Sequence, residues 1–241
     1  EFRNRKAQYE TDEKSLQWMY RSYYASITHI DDQVGEILET LERTGQAENT
    51  IIIFTSDHGD QLLEQGLFGK NVFFESSVRV PFMVYFPEKI KAGEYDDLIE
   101  TIDLLPTLFE LIGLEEPYNC HGKSLVLLIC DSDKTYESKE CVFSENVIPE
   151  VFANVFNFEK GKGVMDVRHP DGKMVRTKKW KYNYYPKGGH ELYNMENDPG
   201  EHNNLADNRY YQGIVNEMKT RLLDWLITAS ETDQIATNWL I

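Results

Sequence analysis

Ile51-Ile52-Ile53-Phe54 constrains this chain most, because it runs straight into a turn loaded with chemistry, Thr55-Ser56-Asp57-His58-Gly59-Asp60. The segment from Thr50 to Thr55 is short, rich in β-branched side chains and nearly continuous in apolar character, which predicts a strand buried on both faces of a parallel sheet. Such a strand delivers the residues after it to the carboxyl edge of the sheet, where open α/β sheets place their ligands. Asp57 is a site candidate on position alone. His58 follows at once, and Gly59 reads as the residue that lets the backbone turn sharply enough for both side chains to converge on one ion. Carboxylate plus imidazole suits a divalent metal of borderline character, whereas calcium prefers oxygen ligands throughout. As an isolated pair, the two read more readily as a helix cap and a surface or core histidine. Lys70, after Gly69, reads either as a solvated lysine or as an ammonium facing an anionic substrate where charge develops on a leaving oxygen.

The flanking sequence supports an α/β frame. Leu16, Tyr20, Tyr23, Ile27, Ile30, Val34, Ile37 and Leu41 recur at spacings of four and three, which predicts a helix over about 14–43 lying on a sheet. Gly45 ends it. A second strand is expected over 80–86, with Pro81 at its start. Asp103 is expected to cap a helix over 104–112, with Pro106 in its first turn and Gly113 closing it. Beyond Gly113 the pattern changes to short strand-like pieces at Val142-Phe143, 174–177, 180–185 and 191–195, parted by turns at Pro170-Asp171-Gly172 and Gly188-Gly189. An antiparallel sheet is expected there, then a final amphipathic helix through Ile214, Met218, Leu222, Trp225 and Leu226.

A formal net charge of -16 argues against nucleic-acid and anionic-membrane partners, which require a cationic footprint. No apolar run approaches the roughly 20 residues of a membrane-spanning helix. Cys120, Cys130 and Cys141 form neither a metal-type CxxC pair nor an even disulfide set, and read as reduced, buried thiols. Localisation is unassigned, since any targeting peptide would lie upstream of Glu1. His121, His169, His190 and His202 read as turn or surface residues, none having a partner at metal spacing.

The order strand, Ser56-Asp57-His58-Gly59-Asp60, Gly66-Leu67-Phe68-Gly69-Lys70, Phe74-Glu75-Ser76-Ser77-Val78-Arg79-Val80-Pro81 resembles the second signature region of the sulfatase family, within the alkaline phosphatase superfamily. Further landmarks resemble the family in the same order. They are Tyr23-Tyr24 with Ile30-Asp31-Asp32-Gln33-Val34-Gly35, Asp103-Leu104-Leu105-Pro106-Thr107-Leu108, Gly122-Lys123-Ser124-Leu125, Val175-Arg176-Thr177 with Trp180-Lys181-Tyr182, and the run from Glu191 to Pro199. The resemblance implies a sulfatase-like α/β mixed sheet flanked by helices, present in part over 1–113, and a smaller α+β subdomain over 114–241 with an antiparallel sheet and a C-terminal helix.

It also implies roles at matching positions: Asp57 and His58 as metal ligands, and Lys70 as the catalytic lysine that contacts the sulfate group and the leaving-group oxygen. Glu75 and Arg79 match too, and their spacing reads as a structural i,i+4 ion pair. Asp60 reads either as a residue orienting a ligand or as a solvated carboxylate. Leu63 and Gln65 stand where many relatives have glycine and histidine. The family's formylglycine nucleophile arises from Cys/Ser-x-Pro-Ser-Arg, which this chain lacks, as it lacks the paired N-terminal aspartates that complete the metal site. The favoured explanation is a C-terminal portion of a longer enzyme; the other is a natural homologue without catalytic power. The chain alone is expected to be inactive.

With the N-terminal half restored, the resemblance implies hydrolysis of a small sulfated substrate, with carbohydrate esters among the candidates. The usual ion is calcium; His58 keeps manganese as an alternative. Two rivals stand: phosphonate monoester or phosphodiester hydrolysis in the same superfamily, and a non-catalytic sulfated-glycan-binding module built on the aromatic and basic cluster 178–185. The plainer reading of that cluster, an antiparallel strand, is preferred.

Overall fold

The computed structural model describes residues 12–70, 72–116, 120–130, 135–147, 171–186 and 188–237. His169 and Pro170 lie outside them. Helix α1 (Glu13–Arg43) begins where the Asp12 carboxylate accepts the Ser15 N–H at 2.9 Å, and stops at Gly45, whose φ of 68° suits a residue without Cβ. Its apolar stripe is less covered than its spacing predicts. Leu16, Tyr20, Tyr23, Val34 and Leu41 are half-buried, Ile27, Ile30 and Ile37 are exposed, and no residue of the helix is buried.

Strand β1 (Ile52–Thr55) pairs with β4 (Phe82–Tyr85) in antiparallel register, from Ile52 opposite Tyr85 to Thr55 opposite Phe82. This corrects the parallel, doubly buried strand expected above: β1 runs from half-buried to exposed. A continuous apolar run carries no information about strand direction, and its burial depends on what covers it. Between β1 and β4 lie a two-residue hairpin, β2 (Gln61–Leu62) with β3 (Phe68–Gly69), and a single helical turn, α2 (Glu75–Val78).

Helix α3 (Leu104–Ile112) has Pro106 in its first turn and Gly113 in the left-handed region at φ 74°. Asp103 does not cap it. The carboxylate, wholly buried, instead accepts the Glu100 and Lys123 N–H groups at 2.9 and 2.7 Å and binds Lys139 Nζ at 2.6 and 2.8 Å. Lys139 also donates to Glu100 at 2.6 Å. A short helix α4 (Val126–Ile129) follows, its entry held by the Leu125 N–H donating to Thr107 Oγ1 at 2.9 Å.

The C-terminal sheet is antiparallel in chain order: β5 (Val142–Val147), β6 (Asp171–Arg176), β7 (Trp180–Tyr184) and β8 (Glu191–Asn194). Asp171 and Gly172, expected in a turn, belong to β6. A Cβ at Gly172 would lie 2.6 Å from the Phe73 ring, so this glycine serves the approach of an aromatic side chain. Period-2 alternation sends Val175, Tyr182 and Leu192 to one face, where they pack on Val215, Met218 and Leu222 of helix α5 (Gln212–Thr237). Met174 and Tyr193 face the other way, onto Phe73 and Phe74 respectively. The cluster 178–185 is therefore mainly interior. Lys181, Tyr182 and Asn183 are fully buried, and Trp180 and Tyr184 are half-buried, as suits a strand of a covered sheet.

The Lys139 site is a closed ionic group whose balance is testable. Burial lowers the Lys139 pKa, but the carboxylates of Asp103 and Glu100 outweigh it and hold the ammonium above the usual lysine range. A raised lysine pKa contributes stability that is whole below the unfolded value and is lost as pH rises through the folded one. Lys139→Met is expected to cost about 3 kcal/mol at neutral pH by leaving Asp103 buried and unpaired. Urea denaturation of both proteins should show that gap at pH 7 and show it shrinking at strongly alkaline pH.

Candidate functional site

The end of β1 and the end of β3 meet because the intervening chain folds into a hairpin, with Gln61 opposite Gly69 and Leu62 opposite Phe68. That pairing closes the twelve-residue gap between His58 and Lys70, whose Nζ and Nε2 are in direct contact. His58 Nε2 also lies 3.2 Å from Asp57 Oδ2. All three expected site residues are thus brought together at one point. The His58 side chain is 30% exposed and that of Asp57 81% exposed, so the cluster lies open on one side.

The imidazole is oriented from behind. Its Nδ1 lies 2.9 Å from the Gly59 carbonyl, and a carbonyl only accepts, so Nδ1 donates there and Nε2 is the nitrogen turned toward Lys70 and Asp57. The turn is tightened by the His58 N–H donating to Asp57 Oδ1 at 3.0 Å and by Ser56 Oγ donating to the His58 carbonyl at 2.8 Å. Burial works to raise the Asp57 pKa, but the His58 N–H, the His58 ring and Lys70 together outweigh it, and the carboxyl lies below its usual range. Asp57 is ionised at neutral pH.

Gly59 does a different job from the sharp turn expected of it. An added Cβ would sit 2.1 Å from the Ser76 carbonyl oxygen, and the Gly59 N–H donates to the Ser77 carbonyl at 2.7 Å. The turn lies flat against α2, and only glycine permits that approach. The same helical turn reaches the lysine side of the hairpin, since Ser77 Oγ donates to the Lys70 carbonyl at 2.5 Å and Gln61 Nε2 to Ser76 Oγ at 2.5 Å. Ser77 was not legible as a site residue, because nothing local marks a serine whose partners lie 7 and 18 positions upstream.

Leu63 takes φ 74°, so the loop keeps a glycine-like backbone despite its side chain. Gln65 commits its amide to the Gly200 carbonyl at 2.8 Å, which ties the loop to the turn after β8. Asp60 is half-buried near α1, where burial first and the Asp60 charge second raise the Tyr23 phenol pKa. Glu75 does not form the expected local pair with Arg79; its carboxylate turns to Arg176 and Lys181. His190 stacks on Tyr184 at 4.7 Å, with Nδ1 accepting the Tyr185 N–H at 3.2 Å. The three cysteines are free, and burial pushes each thiol pKa up, away from reactive thiolate.

Asp57 Oδ2 and His58 Nε2, both atoms of kinds that bind metals, lie 3.2 Å apart. Adjacent donors on one divalent ion, at bond lengths of about 2.1–2.4 Å and right angles, lie roughly 3.0–3.4 Å apart. The pair fits a metal, as two donors of a larger set. Among the described residues there is no group of three or more His, Cys, Asp or Glu side chains able to hold one.

Residues 1–114 match the family model described as Sulfatase, and residues 63–227 match the one described as N-sulphoglucosamine sulphohydrolase, C-terminal. The second match covers well over half of the chain. The chain belongs to the sulfatase family. It is 31% identical over 217 residues to an arylsulfatase of Clostridium perfringens, covering 88% of this chain and 41% of that protein. A solved structure of a protein in complex with its substrate D-glucosamine-2-N,6-O-disulfate superposes with a TM-score of 0.73 at 26% identity, over 91% of this chain and 42% of that one. The phosphonate monoester hydrolase of Agrobacterium radiobacter shares the fold, with a TM-score of 0.76 at 24% identity over 91% and 43%. The chain spans less than half the length of these relatives. Sulfatases depend in general on a metal ion and a formylglycine, and among the described residues no helix is long and apolar enough to cross a membrane.

Gly59→Ala is expected to push the Asp57-His58 turn off α2, at a cost of about 2 kcal/mol from the forced backbone shift. Thermal unfolding checks the stability loss, and amide exchange at position 59 checks the loss of the hydrogen bond to Ser77.

Proposed function

We propose that this chain is the part of a sulfate ester hydrolase that carries one side of its metal site and the lysine facing the sulfate. The observation that carries the reading is the meeting of Asp57 Oδ2, His58 Nε2 and Lys70 Nζ at one exposed point. A divalent metal, calcium by family habit with manganese as the alternative, would be held in part by Asp57 and His58 and would polarise the oxygens of the bound ester. The formylglycine motif is not in this sequence, so no step through it is assigned to these residues.

The roles of the chain's own groups follow from their chemistry. Asp57, ionised well below neutral pH, supplies negative charge to the cation. With Nδ1 held against the Gly59 carbonyl, His58 would turn Nε2 to the cation as its ligating atom. Lys70 is now in contact with His58, and a cation shared by Asp57 and His58 would displace that ammonium toward an incoming anion. There it offsets charge on the departing oxygen and limits its need for a proton.

Further polypeptide is required to complete the site, and the surface supports this. Trp18, Tyr24, Ile27, Ile30 and Ile37 of α1, with Phe54, Met83 and Tyr85 of the β1–β4 pair, are exposed large apolar side chains. Exposed apolar area of that kind marks a surface that other protein covers. A sulfated sugar is the favoured substrate class, supported by the likeness to the protein bound to a disulfated glucosamine. Phosphonate monoester hydrolysis is the second reading, because the same fold carries it in the Agrobacterium radiobacter enzyme.

The test is paired kinetics of the enzyme containing this chain, on an aryl sulfate and an aryl phosphonate. Preference for sulfate is expected, with Lys70→Ala lowering kcat about 10²–10³-fold, the range for removing one charge-stabilising donor. A preference for phosphonate would overturn the sulfatase assignment, and an unchanged rate in Lys70→Ala would remove the lysine from the site.

A further inference from the structure

The turn bearing Asp57 and His58 and the strand bearing Lys70 both rest on α2, and α2 is itself tied to the distant sheet through buried charge. Lys181 of β7 is fully buried, with Nζ 3.0 Å from Glu75 Oε1 and 2.7 Å from Glu201 Oε1. The first contact is an aligned hydrogen bond. The second is an ion pair by proximity. Glu201 Oε2 accepts the Glu75 N–H at 2.6 Å, and Arg176 Nε lies 3.3 Å from Glu75 Oε1. Two basic and two acidic side chains meet there, Lys181 and Glu201 fully buried and Arg176 and Glu75 partly exposed. Glu201 holds φ 55°, a backbone state unfavourable for a residue with a side chain, which persists where the surroundings over-determine it.

Glu75 is the first residue of α2, and Ser77 of the same turn bonds both the Gly59 N–H and the Lys70 carbonyl. Cohesion alone does not need these ions, since Phe73 stacks on Tyr185 and Phe74 packs on Tyr193, each pair 6.1 Å between ring centres. Apolar contacts tolerate sliding, whereas an ammonium between two carboxylates, one of which also grips a backbone N–H, fixes position and rotation together.

We propose that Lys181, acting through Glu75 and Glu201, is a positioning residue for the site: it sets where α2 lies, and α2 sets the separation of Lys70 from the Asp57-His58 turn. The inference rests on the functional reading of those three residues given above. It assigns to the C-terminal sheet a share in the geometry of a site to which it contributes no contacting side chain.

Hydrogen exchange on the 241-residue chain and kinetics on the enzyme containing it test this separately. Lys181→Met is expected to speed exchange at the amides of Gly59, Val78 and Arg79 by about tenfold, with Met218 and Leu222 of α5 unchanged, and Lys181→Arg to restore protection. Glu75→Gln, which keeps the shape, should show the same local pattern if the methionine variant fails to fold. In the enzyme, the same substitutions should lower kcat on an aryl sulfate about tenfold with KM within about twofold, and Lys181→Arg should recover most of it. Equal acceleration at Gly59 and in α5, no change at Gly59, or wild-type kcat despite faster exchange at Gly59 would each overturn the proposal. A wild-type enzyme that cleaves neither sulfate nor phosphonate would instead sink the functional reading, and the exchange pattern would still decide whether Lys181 positions α2.

Discussion

A sheet covered on both faces leaves no water for the side chains trapped between its layers, and β6, β7 and β8 are covered on both. Toward α5 they present Val175, Tyr182 and Leu192, which need no partners. Toward the loop that follows Lys70 they present Lys181, Asn183 and Glu191 as well as Met174 and Tyr193, and buried polar groups must find partners inside the protein. Asn183 Nδ2 and Tyr185 Oη both donate to Glu191, at 2.9 and 3.1 Å, within the β7–β8 part of the sheet. Lys181 reaches outside it, to Glu75. On the proposal above, the seat of α2 follows from where β7 places an ammonium, and the turn after β1 rests on α2.

Such an arrangement is a choice of geometry over cohesion. Desolvating a lysine and two glutamates costs several kcal/mol per ion before any attraction is counted, and well-packed apolar residues often match or exceed a buried ion cluster in stability. Burial raises the pKa of Glu201, and Lys181 and the Glu75 N–H oppose that rise without cancelling it, so the cost of desolvating this carboxyl is only partly offset. What the ions add is direction. The rings of Phe73 and Phe74 fasten the loop to the sheet, while the charges decide its register and rotation.

Element positions were legible wherever periodicity or a glycine stop declared them: α1 within a residue or so, α3 with its Pro106 and Gly113, and the strands β7 and β8, whereas β6 starts three residues earlier than its pattern suggested. Direction and cover were not. The isoleucine run before Asp57 pairs with an antiparallel neighbour, and the stripe on α1 stays half-open, because an apolar pattern states a preference for burial without naming what buries it. The convergence of Asp57, His58 and Lys70 was anticipated through motif order, yet its mechanical cause was hidden. Local pattern has no way to show that Glu75 would look 106 residues ahead to Lys181 rather than four residues to Arg79. Gly59 illustrates the same limit on a smaller scale, since a close approach to Ser76 and a sharp turn both call for glycine and only coordinates tell them apart.

The charge of the whole chain sharpens what the site must do. At a formal net charge of -16 the protein repels an anionic ester from a distance, and at physiological ionic strength that repulsion fades beyond about 8 Å. On the function proposed above, capture of a sulfate ester would then come from short-range positive charge, which acts only within the span of a contact or two. Lys70 supplies one such charge, and a cation shared by Asp57 and His58 would supply another. Because attraction at that range changes steeply with small displacements, a site on an acidic protein gains more from rigid placement of a few groups than from a broad electrostatic field. A turn pinned by backbone contacts to α2, with α2 locked by buried ions to a doubly covered sheet, is a physical means of obtaining that rigidity on the exposed edge of the fold.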